Sequence, residues 1–111
     1  MPKTDGLLKA QVRGLLRHGK ENARKGKDFA RLLGFKDDRP VRLALRELIE
    51  DGVPIISLVE PPYGSYIADN PEEFLEYLEK LRHRALEILG RYADLKIAGR
   101  EVLQPSQLAL L

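Results

Sequence analysis

The sequence predicts a small α+β protein that is mainly helical: three short helices, a two-stranded β-hairpin and one long C-terminal helix. Three observations predict this class. Apolar residues recur at helical spacing over the first half of the chain. A β-branched run from Val53 to Val59 is followed by a turn rich in proline and glycine. A heptad pattern of apolar residues then runs from Phe74 to Leu95.

These patterns divide the chain into three segments. Residues 1–69 hold the short helices and the hairpin, residues 70–98 form the heptad helix, and residues 99–111 form an apolar tail. A chain of 111 residues is long enough for one small domain with a single core.

The composition excludes several classes of site. The chain has no cysteine and only two histidines, so we expect no disulfide, no metal and no cofactor. No apolar run approaches the ~20 residues needed to cross a bilayer, and no secretory signal is recognisable. We therefore expect a cytoplasmic protein that does not enter a membrane.

The charge is unevenly distributed. Residues 1–52 carry 13 Lys and Arg against 8 Asp and Glu, a net charge of +5, whereas residues 53–111 carry 6 against 9, a net charge of −3. The first half is therefore the part of the chain that would face a nucleic acid.

The first helix begins near Thr4 or Asp5 and is predicted to end near His18. A polar loop over residues 20–26 follows, without a strand pattern. The second helix spans Lys27–Leu33 and ends at Gly34. The apolar residues that we expect to face the core are Leu8, Val12, Leu15 and Leu16 on the first helix and Phe29, Leu32 and Leu33 on the second.

The third helix carries an arginine ridge, defined as Arg39, Arg42 and Arg46. Their spacing of three and four residues places them on one face, and Val41, Leu45 and Leu48 form the opposite, buried face. Asp37 or Asp38 caps the helix, and Pro40 suits its first turn.

The arginine ridge has two interpretations. Arginine offers a planar fork for guanine edges and a fixed charge for phosphates, so the ridge suits the major groove of DNA. Alternatively, the ridge is a solvated face on which Arg42 pairs with Asp38 and Arg46 with Glu50.

After this helix come the first strand, a turn at residues 60–64 and a second strand at residues 65–68. The order of elements, together with Leu48–Ile55 and Gly64–Ala68, resembles the winged helix-turn-helix family, in particular biotin-repressor-type and phage or mobile-element regulators. The resemblance implies three helices plus a β-hairpin wing and sequence-specific binding of double-stranded DNA.

The resemblance assigns DNA contacts along the helix-turn-helix and the wing. The third helix would enter the major groove, the second would cross the phosphate backbone, and the wing would touch a phosphate although its tip carries Glu60 and no basic residue. The expected contact residues are Arg39, Arg42, Leu43, Arg46, Lys27, Arg31, Lys36, Tyr63 and Ser65.

Asn70 and Pro71 mark the start of the long helix, which is predicted to run to about Ile97. Its length exceeds what the preceding domain can cover, so we expect dimerisation with a second copy, with packing onto its own domain as the alternative. The expected dimerisation residues are Phe74, Leu78, Leu81, Ala85, Ile88, Tyr92 and Leu95. The leucine-rich tail would pack across the dimer or bind another protein.

The sequence contains no Gly-rich phosphate loop, no Gly-x-Ser-x-Gly elbow and no His-Glu-x-x-His motif, and we therefore expect no enzymatic activity. The expected function is that of a dimeric, sequence-specific DNA-binding regulator of transcription or of a mobile element. The alternative is a winged-helix adaptor that binds proteins and not DNA.

Overall fold

The computed structural model describes residues 4–110 and divides the chain into two compact units, the first ending at Phe74 and the second starting at Leu75. Met1–Lys3, at the start of the predicted first segment, and Leu111, at the end of the last one, lie outside the described residues. The helices are α1 Gly6–Leu15, α2 Gly26–Leu33, α3 Arg39–Glu50, α4 Pro71–Ala98 and α5 Pro105–Leu108, with 3₁₀ turns at Lys20–Asn22 and Gly99–Glu101; the strands are β1 Ile55–Leu58 and β2 Gly64–Ile67.

The predicted class is confirmed at this level: a mainly helical chain with a small antiparallel sheet and a long C-terminal helix. Strands β1 and β2 pair in a register that sets Ile55 opposite Ile67 and Leu58 opposite Gly64. No helix among residues 4–110 combines the length and the apolar character that a membrane span requires.

The core of the first unit lies between α1, α2, α3 and the hairpin. The predicted apolar face of α3 is buried there, as are Val12 and Leu16 of α1, and Phe29 of α2 is fully enclosed. The other predicted core residues, Leu8, Leu15 and Leu33, are partly buried against this core. The prediction for Leu32 is wrong, because Leu32 is 57% exposed and Ala30 takes the buried position beside Phe29. Residues two positions apart lie on nearly opposite sides of an α-helix. Because Ala30 faces the core, Leu32 faces outward.

Helix α1 is shorter than predicted. It ends at Leu15, and Leu16 already has an extended backbone. The reason lies in β2, whose Ile67 amide donates to the carbonyl of Arg17 at 2.8 Å, while the Gly19 amide donates to the carbonyl of Ile67 at 3.1 Å. The chain leaves the helix early because it pairs with the edge of the hairpin.

The predicted loop after α1 also pairs with this edge. Arg24 and Ser65 exchange two backbone hydrogen bonds, of 3.0 and 2.8 Å, in an isolated antiparallel bridge. Gly64 permits this approach, because it has a φ of +102° and a Cβ atom there would lie 2.7 Å from the carbonyl carbon of Arg24. The hairpin is thus anchored on the segment between α1 and α2.

The end of α2 and the start of α4 lie where the sequence predicts them. Gly34 ends α2 in the left-handed region with a φ of 82°, and the Phe35 amide donates to the carbonyl of Ala30 at 2.8 Å, which closes the last turn. At the start of α4, the Asn70 side chain accepts from the Glu73 amide at 3.1 Å, as its capping role predicts.

Candidate nucleic-acid interface

Helix α3 has one buried and one exposed face. Val41, Ala44, Leu45 and Leu48 are enclosed in the core, and both α1 and α2 pack against the helix. Since four side chains fix the rotation of α3, the direction in which its outer face points is fixed as well. A surface that reads another molecule requires this kind of rigid support.

The arginine ridge lies on the exposed face. The side chains of Arg42 and Arg46 are 67% and 70% exposed, respectively. Arg42 Nε lies 3.2 Å from Asp38 Oδ1, and Arg46 Nε lies 3.9 Å from Glu50 Oε1. The ion pairs of the alternative interpretation are therefore both present, and both are open to solvent.

The strength of these two ion pairs decides whether the guanidinium groups can leave them to contact a base. Exposed pairs at this helical spacing stabilise a helix by about 0.3–0.5 kcal/mol each. A bidentate contact between arginine and guanine contributes about 1–3 kcal/mol of discrimination. The free energy needed to break both ion pairs is therefore smaller than the free energy gained from a single good base contact.

Asp37 and Asp38 have different roles at the start of α3. Asp38 is the N-cap residue but makes no side-chain cap hydrogen bond, whereas the Asp37 side chain accepts from the Arg39 amide, the first of the helix, at 3.0 Å. Asp38 pairs with Arg42 and also lies against α2, where a Cβ atom at Gly26 would be 2.6 Å from its Oδ2 atom. Arg39 itself is exposed, and its guanidinium has no ion pair within residues 4–110.

The remaining predicted residues of the helix-turn-helix are near the ridge in sequence but differ in availability. Leu43 is half-buried beside the ridge, whereas Lys27 and Lys36 are exposed. Arg31 is also exposed and donates a hydrogen bond to Asp28 one turn earlier in α2. Lys27 and Lys36 are the two whose charges have no ion pair within the described part of the chain.

The two predicted contact residues of the hairpin, Ser65 and Tyr63, differ in exposure. Ser65 is only 7% exposed, its hydroxyl lies 2.9 Å from that of Ser57, and its backbone is paired with Arg24. Tyr63, by contrast, is 47% exposed at the hairpin tip, where its amide donates to the carbonyl of Glu60 at 2.8 Å. Of the two hairpin residues, only Tyr63 remains accessible to a ligand.

Two further arginines, which the sequence patterns did not single out, lie near Arg31. An open cleft of about 500 Å³ is lined by Arg17, Glu21, Asn22, Ala23, Arg24, Asp28, Arg31 and Leu32. The Arg24 guanidinium lies over the Phe29 ring, 5.8 Å from its centroid. The five basic residues between positions 17 and 27 were the available signal, but only the fold brings Arg17 and Arg24 beside α2.

The flank of α3 next to α1 carries acidic groups. The Thr4 amide donates to both carboxylate oxygens of Glu47 at 2.9 Å, and Lys9 Nζ lies 2.8 Å from Asp51 Oδ2. The hydrogen bond to Asp51 raises the pKa of Lys9. These contacts tie α1 to α3 on the side of Glu47 and leave the three arginine side chains uncovered by residues 4–110.

The predicted dimerisation residues occupy α4, which has no buried residue along its 28 positions. Leu78, Leu81, Ile88, Tyr92 and Leu95 are between 37% and 64% exposed. Phe74 differs, because it is half-buried and belongs to the first compact unit. The heptad face of α4 is therefore uncovered from Leu78 onward.

Within residues 4–110 there is no cluster of three or more His, Cys, Asp or Glu side chains that would hold a metal ion. The candidate site consists of the exposed arginine ridge of α3 and of a cleft with three arginines on the neighbouring helix α2, and the hairpin contributes the exposed Tyr63. Comparisons of this chain with protein-family models, with curated proteins and with solved structures found no match.

Proposed function

We propose that the chain is a winged helix-turn-helix protein that binds double-stranded DNA sequence-specifically, as a dimer, and acts as a regulator of transcription or of a mobile element. In this proposal α2 and α3 are the helix-turn-helix, and the β1–β2 hairpin is the wing. The observation that carries the proposal is the arginine ridge, which is exposed on a helix whose opposite face is locked in the core.

The dimensions of the ridge suit the major groove. Arg39 and Arg46 are seven residues apart, so the ridge extends about 10 Å along the helix axis at 1.5 Å per residue. The groove of B-DNA is about 12 Å wide and admits one α-helix. Arg42 and Arg46 would exchange their carboxylate partners for base edges, Arg39 would enter the groove beside them, and Lys27 and Lys36 would neutralise phosphates.

The hairpin has a minor part in this proposal. Its tip carries Glu60, which would be repelled by phosphates, and its exposed hydrogen-bonding side chain is Tyr63. Affinity would therefore depend on α2 and α3, with little added by the wing. The net charge of the whole chain is only +2, which favours binding by two linked copies over binding by a single one.

Self-association through α4 is the second part of the proposal. A helix of 28 residues with no buried side chain leaves an apolar stripe in water, and large exposed apolar patches mark interaction surfaces. A second copy supplies an identical stripe and gives the two-fold symmetry that palindromic or repeated half-sites require.

The experiment is a gel shift on genomic DNA fragments with the Arg42→Ala/Arg46→Ala variant. We expect affinity for the preferred fragments to fall at least about tenfold and the preference among fragments to weaken, because two base contacts of about 1–3 kcal/mol each are lost. The matched control is Arg13→Ala/Arg100→Ala, which removes the same charge from exposed positions on α1 and near the C-terminus. Equal affinities and salt slopes for the two variants would remove the ridge from the mechanism.

A protein-binding adaptor is the second candidate. The acidic hairpin tip and the uncovered apolar side chains of α4 favour it, as does the exposure of Val102 and Leu110, which are 81% and 84% accessible in the tail. It predicts no salt-dependent affinity of the wild-type chain for DNA. It also predicts a protein partner that is lost when residues 99–111 are deleted.

A further inference from the structure

We infer that the partner of α4 is a second copy of the same helix running antiparallel, with Leu78 opposite Leu95, Leu81 opposite Tyr92 and Ala85 opposite Ile88. The inference rests on the self-association within the proposed function and not on DNA binding. It assigns the orientation and register of the pair, which the heptad spacing alone leaves open.

The surface of α4 is sufficient for a stable pair. The large side chains of the stripe, from Leu78 to Leu95, are 37–64% exposed, and Leu75, Leu86 and Leu89 widen it with exposures of 66%, 50% and 61%. Covering these stripes on two copies would remove on the order of 1,200 Å² from water, which reaches the lower limit of stable protein interfaces.

The sizes of the side chains select the orientation. In a parallel pair each residue meets its own copy, so Ala85 would face Ala85 and Tyr92 would face Tyr92. The first layer would leave a cavity, and the second would force two rings into one layer. A parallel pair therefore has one underfilled and one overfilled layer within seven residues.

The antiparallel pair evens out these volumes. The stripe positions 78, 81, 85, 88, 92 and 95 are separated by 3, 4, 3, 4 and 3 residues, a series that reads the same in both directions. Ala85 then meets the larger Ile88, Leu81 meets the larger Tyr92, and Leu78 meets Leu95, which is of the same size. Alternation of large and small side chains across facing positions is what allows two helices to interdigitate.

The charged residues that flank the stripe do not select between the two orientations. Arg82, Arg84, Arg91 and Lys96 border it, and no acidic residue occupies an equivalent bordering position. A parallel pair places Arg91 beside Lys96 of the second copy twice, which is unfavourable. The antiparallel pair brings Lys96 near Glu79 of the second copy but also places Arg84 beside Arg91 of that copy twice, a repulsion of the same kind, so the side-chain volumes carry the choice of orientation.

The arrangement also sets the distance between the starts of the two α4 helices. In this register, residue 71 of one copy is level with position 102 of the other, which is 31 residues from residue 71 of that copy. The first turns of the two α4 helices therefore lie about 46 Å apart along the paired axes. This exceeds the roughly 34 Å of one turn of DNA.

The test uses the absence of cysteine from the chain. Leu78→Cys with a size tag and Leu95→Cys without it are oxidised separately and as a mixture, and the products are separated by non-reducing electrophoresis. We expect the mixed disulfide to exceed either homodimer at least about tenfold, since a disulfide requires the two Cα atoms to be within about 7 Å and residues 78 of the two copies would be about 25 Å apart.

His83→Cys, on the outer face of α4, is the matched control and should give little disulfide in any combination. Circular dichroism of each reduced variant checks that the helix is retained, and light scattering of the wild type reports its mass. Homodimers from each single variant would overturn the antiparallel orientation. A monomeric wild type without cross-links would overturn self-association, whereas loss of the gel shift alone would overturn only DNA binding.

Discussion

Helices α3 and α4 are both amphipathic and each carries three arginines, yet they differ in how far their apolar faces are buried. Helix α3 has 12 residues, and four of them are buried by α1, α2 and the hairpin. Helix α4 has 28 residues, and none is buried. The apolar face of α3 is covered by other elements of the first compact unit, whereas residues 4–110 bury no side chain of α4.

This difference separates two uses of the same pattern. An apolar stripe at helical spacing indicates which face of a helix seeks a partner, but not whether that partner lies in the same chain. On α3 the buried stripe makes the polar face useful, because it holds the arginine ridge in a fixed orientation. On α4 the stripe itself is the surface available for an interaction.

The largest expected effect comes from removing a buried ring from the first unit. Phe29→Ala should lower the free energy of unfolding by about 3–5 kcal/mol, because Phe29 is fully enclosed and its loss leaves a cavity. Leu81→Ala removes a side chain that is 37% exposed on α4, and in dilute protein its cost should stay below about 1 kcal/mol.

Urea unfolding at two protein concentrations checks this pair of variants. If α4 associates, the cost of Leu81→Ala rises with concentration while that of Phe29→Ala does not. Equal costs in dilute protein would mean that α4 is as well packed as the core, which would break the comparison.

A glycine in each unit provides the second prediction. Gly64→Ala should destabilise the first unit by about 2 kcal/mol, because φ is +102° and the added Cβ meets the Arg24 backbone at 2.7 Å. Gly90→Ala on α4 meets nothing within 4 Å and should stabilise its helix by up to about 1 kcal/mol. Thermal unfolding of both variants should give shifts of opposite sign, and two shifts of the same sign would show that one backbone site is misassigned.

The smallest effect concerns the hydroxyl of Tyr66, which is buried in the first unit and donates a hydrogen bond to Glu73. Tyr66→Phe should lower the free energy of unfolding by about 1 kcal/mol at neutral pH, since one hydrogen bond is lost and the carboxylate regains water.

Burial, followed by the hydrogen bond to Glu73, raises the pKa of Tyr66. Stability from a raised pKa is fully present below the unfolded value of 10.0 and is lost as the pH rises toward the folded value. The wild type should therefore lose stability above about pH 10 more steeply than Tyr66→Phe does. Parallel pH profiles from urea titrations of the two proteins would contradict the assigned burial of this hydroxyl.

Much of the fold could be predicted because its signals are local. Asn70 and Pro71 mark the start of α4, Gly34 marks the end of α2, and the β-branched run marks β1. Each is a short-range preference of the backbone that tertiary packing does not override here.

The pairing of residues 17–24 with β2 could not be predicted in the same way. Arg17, Gly19 and Arg24 join the hairpin through backbone amides and carbonyls, which carry no side-chain signature. This pairing shortens α1, buries Ser65 and brings Arg24 beside α2. The burial of Ser65 could not be predicted for the same reason, because a serine on a short strand is expected at the surface unless the segment that pairs with the strand is known.

The site shows the same limit. Spacing predicts that Arg39, Arg42 and Arg46 share a face, and that Arg42 and Arg46 have carboxylates within reach, and the structure has both features. Spacing does not predict the cleft lined by Arg17 and Arg24, because that cleft forms between segments that meet only in the folded chain.

The most direct test of the account is selection of bound sequences from a random duplex library by the wild type and by Arg42→Lys/Arg46→Lys. The lysine variant keeps both charges but lacks the planar fork that reads guanine. If the arginine ridge reads bases, the wild type enriches a motif containing guanine, and the variant weakens this motif while the salt dependence of its binding to unselected DNA stays the same. The absence of any motif from the wild type, or an unchanged motif from the variant, would contradict the claim that the arginine ridge reads bases.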